Sequence, residues 1–197
     1  MNSLKEYIDD DHIVMDTYYE ALEQFDCGKV DKTIFAKTMK GLIEKDPDFY
    51  DPYIELYATL MTEGKHNEAE RILSEGFVRA LNRITDKEGR WPDRMIWGIL
   101  RNRHIIRVIY FKAISLWQAR SIEAALFLLR KLLRVNPNDN VGARLYILAI
   151  RLNISYREFE NRFDKGGYYE YDVFEWFNDN YTKFPGEFAW LDDVTGY

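Results

Sequence analysis

Apolar side chains recur along this chain at steps of three and four residues. Tyr53, Leu56, Tyr57 and Leu60 form one such set; Ile109, Ala113 and Leu116 form another; Ala143, Tyr146, Ile147 and Ile150 form a third. Pairs four apart (Phe35 and Met39, Ala69 and Leu73, Ala125 and Leu129, Phe159 and Phe163) fall between them. That spacing places one apolar stripe on each helix and leaves the opposite face polar. It predicts helices near 4–26, 31–45, 50–63, 66–82, 93–101, 104–119, 121–135, 140–153, 155–164 and 170–181, with no clear strand. Asp46-Pro47 and Asn136-Pro137 end their helices, because proline cannot donate the next backbone hydrogen bond. Asn138-Asp139-Asn140 then offers side-chain oxygens to cap the helix that follows.

The pattern repeats. Phe35 to Ala69 is a step of 34 residues, and so is Ala125 to Phe159. Ala69 to Ala125 is 56, one more period plus an insertion of 22. A period of about 34 with helix–turn–helix content is the signature of tetratricopeptide repeats. The repeats fall at about 16–49, 50–82, 106–139 and 140–171, with an insertion at about 83–105 and a cap and tail at 172–197. Gly64 and Arg120 mark the turns inside the second and third repeats. Small residues such as Ala69 and Ala125 let helix backbones approach, while aromatic and Leu positions fill the space between neighbouring pairs. The expected fold is all-α: a single domain forming a right-handed α-solenoid of about four helical hairpins with a C-terminal capping helix.

One third of the chain, about residues 91–152, also carries a more specific pattern. Trp97-Gly98, Asn102-Arg103, Arg107, Trp117, Glu123-Ala124-Ala125, Asn136-Pro137-Asn138-Asp139-Asn140 and Arg144 resemble a group of poorly characterised tetratricopeptide-like proteins. His104 stands where that group usually has proline, and Arg120 where it usually has glycine. The resemblance implies an α-solenoid scaffold and brings no enzymatic activity with it.

Composition narrows the function. The chain has 197 residues, 47% of them hydrophobic and 30% charged, which suits a folded domain. Acidic residues interrupt the first ten positions, and no stretch approaches the ~18 uninterrupted apolar residues of a membrane span. The expectation is a cytoplasmic protein without a membrane segment. Cys27 is the only cysteine, so no intramolecular disulfide or multi-cysteine zinc site can form. No phosphate-binding glycine loop and no His-Glu-x-x-His motif occurs. His12, His66 and His104 lie far apart and read as single solvated or packed residues. Asp9-Asp10-Asp11 reads as the acidic first turn of a helix, favoured by the helix dipole. No catalytic residue, metal ligand or cofactor site is expected, and an enzyme is the least favoured class.

The net charge of −6 is unevenly spread: residues 1–100 carry −8, residues 101–151 carry +8 and residues 152–197 carry −6. An acidic chain overall argues against nucleic acid as a partner. In a stack of helical pairs, the first helix of each pair lines the concave face, where side chains are free to bind. The register puts Thr17, Glu20 and Gln24 of repeat one there, Asp51 and Ile54 of repeat two, and Arg107, Tyr110 and Trp117 of repeat three. Arg144 and Arg151 of repeat four join them. Arginine fixes carboxylates through paired hydrogen bonds and aromatic rings add area at low entropy cost. Arg103, Arg107, Tyr110, Trp117, Arg144 and Arg151 are thus the candidate partner contacts. The expected function is a non-catalytic scaffold that binds a protein or peptide with acidic groups in the concave groove. The alternative is a sensor of a small molecule or signalling peptide in the same groove. The acidic, aromatic tail (Glu187, Phe188, Trp190, Leu191, Asp192, Asp193) could fold back into its own concave face or bind a neighbouring molecule.

Overall fold

A computed structural model describes residues 4–195. Within them the protein is all-α, with ten α-helices, two short 3-10 turns and no β-strand. The helices are α1 (Met15–Asp26), α2 (Lys32–Lys45), α3 (Asp51–Thr62), α4 (His66–Ile84), α5 (Arg103–Gln118), α6 (Ile122–Val135), α7 (Ala143–Arg151), α8 (Tyr156–Phe163), α9 (Tyr171–Asn180) and α10 (Pro185–Thr195).

Four turns share one construction. Gly28, Gly64, Arg120 and Asn153 follow α1, α3, α5 and α7 in the left-handed region, with φ of 68, 73, 60 and 58°. In each, the next residue's N–H reaches back five positions: Lys29 to Gln24, Lys65 to Leu60, Ser121 to Leu116 and Ile154 to Ala149, all at 2.8–2.9 Å. This arrangement satisfies carbonyls that a helix end leaves open, and it sends the chain back at a fixed angle. The Asp46-Pro47 and Asn136-Pro137 turns end α2 and α6 as their sequence indicates. Asp139 caps α7 through the N–H groups of Ala143 (2.6 Å) and Arg144 (2.9 Å).

One expected helix starts late, one is absent and one arises unforeseen. Residues 4–14 are not helical; α1 starts only at Met15. They lie along the insertion instead: the Tyr7 N–H donates to the Arg94 carbonyl (2.8 Å), and the Asp93 N–H to that of Lys5 (3.0 Å). The same pairing takes the Arg94 carbonyl, which a helix over 93–101 would need as an acceptor, and only the 3-10 turn Leu100–Asn102 forms there. The expected tail is in fact α10, as far as Thr195; residues 196 and 197 and the side chains of Asp192 and Asp193 lie outside the described residues.

The chain divides into two compact units, with the boundary between Lys112 and Ala113, inside α5. In the first, α1, α2, α3 and α4 pack each on the next. Val14, Tyr18, Phe35, Met39, Leu42, Phe49 and Leu56 form a core there. On α4, Ala69, Leu73, Gly76 and Ala80 make the buried stripe. Gly76 allows close approach, since a Cβ on it would come within 2.9 Å of the Tyr53 ring. In the second unit α6 packs on α7, α7 on α9, and the 3-10 turn Tyr181–Lys183 on both α9 and α10. Phe159 is the centre of its aromatic core, with the rings of Tyr146, Phe163, Tyr169 and Trp176 at 5.0–5.7 Å. No helix among the described residues is long and apolar enough to cross a membrane.

Candidate functional site

Two polar constellations stand out, one in each unit. The one in the first unit centres on Asp9, which is 2% exposed and belongs to no helix. Its Oδ2 accepts from Nε2 of His12 (2.9 Å) and Nε2 of His104 (2.9 Å). Its Oδ1 accepts from Arg83 Nε (2.6 Å) and the Tyr7 hydroxyl (2.8 Å). The backbone N–H of Asp9 donates to Asn102 Oδ1 (3.0 Å). A buried carboxylate is costly unless its lone pairs are filled, and here four donors fill them. The acidic triplet is therefore not a helix turn: Asp9 finds stronger partners in other segments than a local dipole offers.

The protons in this cluster can be placed. Tyr50 N–H donates to Nδ1 of His104 (3.1 Å), so that nitrogen keeps its lone pair and Nε2 carries the proton toward Asp9. Burial, opposed by the Asp9 hydrogen bond, pushes the His104 pKa below its usual value, which keeps the ring neutral. His12 has a carboxylate at each nitrogen, Asp9 at Nε2 and Asp46 at Nδ1 (2.9 Å). Burial works against its charge, but the two carboxylates outweigh it and its pKa is raised. Burial also works against the Asp9 charge; hydrogen bonds from His104, His12, Arg83 and Tyr7 overcome this and hold its pKa far below the usual carboxylate range.

The donor atoms of Asp9, His12 and His104 lie within 4.8 Å of one another, a spacing a metal ion could use. The proton inventory does not fit one. A metal would need the Nε2 lone pair of His104, and that nitrogen holds its proton while Nδ1 accepts from Tyr50. The cluster is a hydrogen-bond hub that ties residues 7–12 to α4, α5 and the turn before α5. Read as isolated residues in the sequence, His12 and His104 are in fact partners, with ring centroids 4.7 Å apart. Only His66 of the three is exposed.

The six predicted contact residues meet different fates. Arg103 donates to the Trp97 carbonyl (3.0 Å) and lies 5.1 Å over the Trp97 ring. Arg107 grips Asp51 with two nitrogens, one at 2.8 Å, and stands 5.7 Å from the same ring. Both residues stood among the expected groove positions, and here they form an internal ion pair. Tyr110 is half-buried against Phe111. Trp117 is a core residue, 3% exposed, with the rings of Tyr156, Tyr146 and Phe159 around it. Arg144 is held near Asp139 (3.7 Å) and over Phe177 (5.5 Å). Arg151 faces Glu187 (3.6 Å) and Phe184 (5.3 Å). In the first unit Thr17, Glu20 and Gln24 line a groove of about 220 Å³ with Phe35.

The second constellation is the meeting of α10 with α6 and α7. Arg130 takes Glu187 with two nitrogens, Nε to Oε2 at 2.8 Å. Arg134 lies 5.0 Å over the Trp190 ring. With Leu133, Ile147 and Arg151 these residues line a half-open gap of about 520 Å³ beside the start of α10. Arg130 hydrogen bonds, against some burial, hold the Glu187 pKa below its usual value, with Arg151 and Arg134 adding their fields. A larger, half-open groove of about 1080 Å³ runs past Trp117, Arg120, Asn153, Tyr156 and Arg157. The repeat register missed Arg130 and Arg134, because it assigned binding to first helices and they stand on a second one. Their signal was present in the sequence: two arginines four apart, and a glutamate with aromatic residues three positions before and after it.

Compared with known proteins, the chain matches no protein-family model, no curated protein and no solved structure. The class rests on the fold and these two sites: an all-α protein with a buried histidine–carboxylate hub and an arginine-rich helix face.

Proposed function

We propose that this protein is a tetratricopeptide-like scaffold of the cytoplasm that recognises acidic protein or peptide partners without catalysing a reaction. One observation carries the reading. The arginine-bearing face of α6 and α7 holds an acid-bearing aromatic helix, α10, so its chemistry suits that kind of ligand. Arginine pairs with carboxylate and stacks on aromatic rings at the same time, which discriminates by geometry as well as by charge. The consecutive packing of α1 to α4 and the four like-built turns support a repeat scaffold.

The reading is tested by affinity capture with the full chain, wild type against Arg130→Ala/Arg151→Ala, followed by direct binding of the purified captured protein. A partner that binds the wild type and loses at least tenfold in affinity for the variant, with circular dichroism unchanged, supports it. Equal binding to both overturns it.

A further inference from the structure

We infer that α10 is a removable internal ligand, and that the external partner is an amphipathic helix bearing an aromatic–x–x–acid–x–x–aromatic frame. The inference rests on the recognition function proposed above and names the partner for its α6–α7 face.

Glu187 and Trp190 stand three residues apart on α10, so the helix turns both toward the same side, and Phe184, the residue just before α10, precedes Glu187 by the same step. Each meets an arginine: Phe184 meets Arg151, Glu187 meets Arg130 and Arg151, and Trp190 meets Arg134. Arg130 and Arg134 are one turn apart on α6, so they match the spacing of Glu187 and Trp190 on α10. The charge complementarity extends beyond these contacts: α6 and α7 carry Arg130, Lys131, Arg134, Arg144 and Arg151 against one acid, Glu123, while the sequence of α10 has Glu187, Asp192 and Asp193 and no cation.

The hold on α6 and α7 is of a separable kind. The Arg130 and Arg151 side chains are 36% and 42% exposed, so water and salt compete for both. A half-open groove of about 520 Å³ runs between the start of α10 and this face. Among the described side chains lining that groove, Glu187 is the one carboxylate beside Arg130, Arg134 and Arg151, while Lys183 donates to Asn180 (2.6 Å). The apolar anchors of α10 lie elsewhere: Phe188 packs on Phe177 and Tyr181. The fold can thus keep α10 attached at α9 while its arginine contacts open. A helix with the same frame then competes for those arginines, and α10 sets a threshold for its entry.

The test uses the full chain and a fluorescein-labelled synthetic peptide of residues 181–193. Fluorescence anisotropy is read for wild type, Glu187→Ala, and Glu187→Ala/Arg130→Glu. Removing Glu187 weakens the internal competitor, so the peptide is expected to bind that variant at least tenfold more tightly than wild type. Adding Arg130→Glu is expected to abolish the gain, and a peptide with Arg in place of Glu187 to restore it. Hydrogen exchange of α10 in the Glu187→Ala chain provides a second readout, independent of the peptide, and is expected to accelerate while α6 and α7 keep their protection. Equal affinity for wild type and Glu187→Ala, or a gain that survives Arg130→Glu, overturns the inference. If that happens while a captured partner still depends on Arg130 and Arg151, only the self-occlusion fails; if the partner is also indifferent to them, the recognition reading fails with it.

Discussion

Replacing Asp9 with alanine removes the acceptor on which His12, His104, Arg83 and Tyr7 converge. Not every donor suffers equally. Arg83 is 23% exposed and keeps Asp10 at 2.9 Å and Asp48 at 3.6 Å. His12 keeps Asp46. His104, 1% exposed, has no such alternative for its Nε2 proton, and an unsatisfied buried donor costs about 1–3 kcal/mol. Removing one partner of a buried charged set costs about 3–5 kcal/mol overall, and the lower half of that range applies because two donors keep a second carboxylate. We expect Asp9→Ala to lose about 3–4 kcal/mol in urea denaturation followed by circular dichroism, and its amides at 5–12 to exchange faster. His104→Phe in the same chain removes the stranded donor. The double variant should therefore be less destabilised than the sum of the two single ones, with a coupling of about 1–2 kcal/mol. A loss below about 1 kcal/mol for Asp9→Ala, or strict additivity, refutes the hub.

Three further outcomes follow from particular residues. The His12 pKa is raised in the folded state, so its stabilisation is complete below the unfolded value of 6.5 and fades as pH rises through the folded pKa. The His104 pKa is lowered, so its contribution is complete above 6.5 and fades as pH falls. His104→Gln should then gain stability on acidification from pH 7.5 to 5.5 relative to His12→Gln, with opposite slopes in urea midpoints measured across that range. Gly76→Ala should destabilise by about 1–3 kcal/mol, because its Cβ meets Tyr53 at 2.9 Å, whereas Gly41→Ala, with nothing within 4 Å, should stabilise by about 0.5–1 kcal/mol; thermal denaturation compares them. Arg120→Gly relieves a left-handed backbone and should raise stability by about 0.5–1 kcal/mol, more than Asn153→Gly, since asparagine tolerates that conformation better; calorimetry distinguishes the two.

Local rules were legible where local forces decide. The stripes of α2, α3, α4, α6 and α7, the Asp-Pro and Asn-Pro stops and the Asp139 cap were all readable, because a helix stripe, a proline and a capping oxygen act within a few residues. Local rules failed at 4–14 and 93–101, where helical spacing was present but the segments pair with each other instead. Trp117 illustrates a different limit: its position on α5 was sound, yet whether an aromatic ring on a helix faces a groove or a core depends on what packs beside it.

What the sequence determined by itself is the all-α character, the turn positions and the opposition of a basic middle to acidic ends, all of them consequences of spacing and composition. What the tertiary structure alone decided is pairing: Asp9 with His104 across 95 positions, Asp9 with Arg83 across 74, and Arg130 with Glu187 across 57. Charges so distant along the chain carry no record of each other in a linear pattern. They become partners only when the fold brings them within reach, and around Asp9 burial then removes water and leaves each charge with its neighbours as its means of solvation.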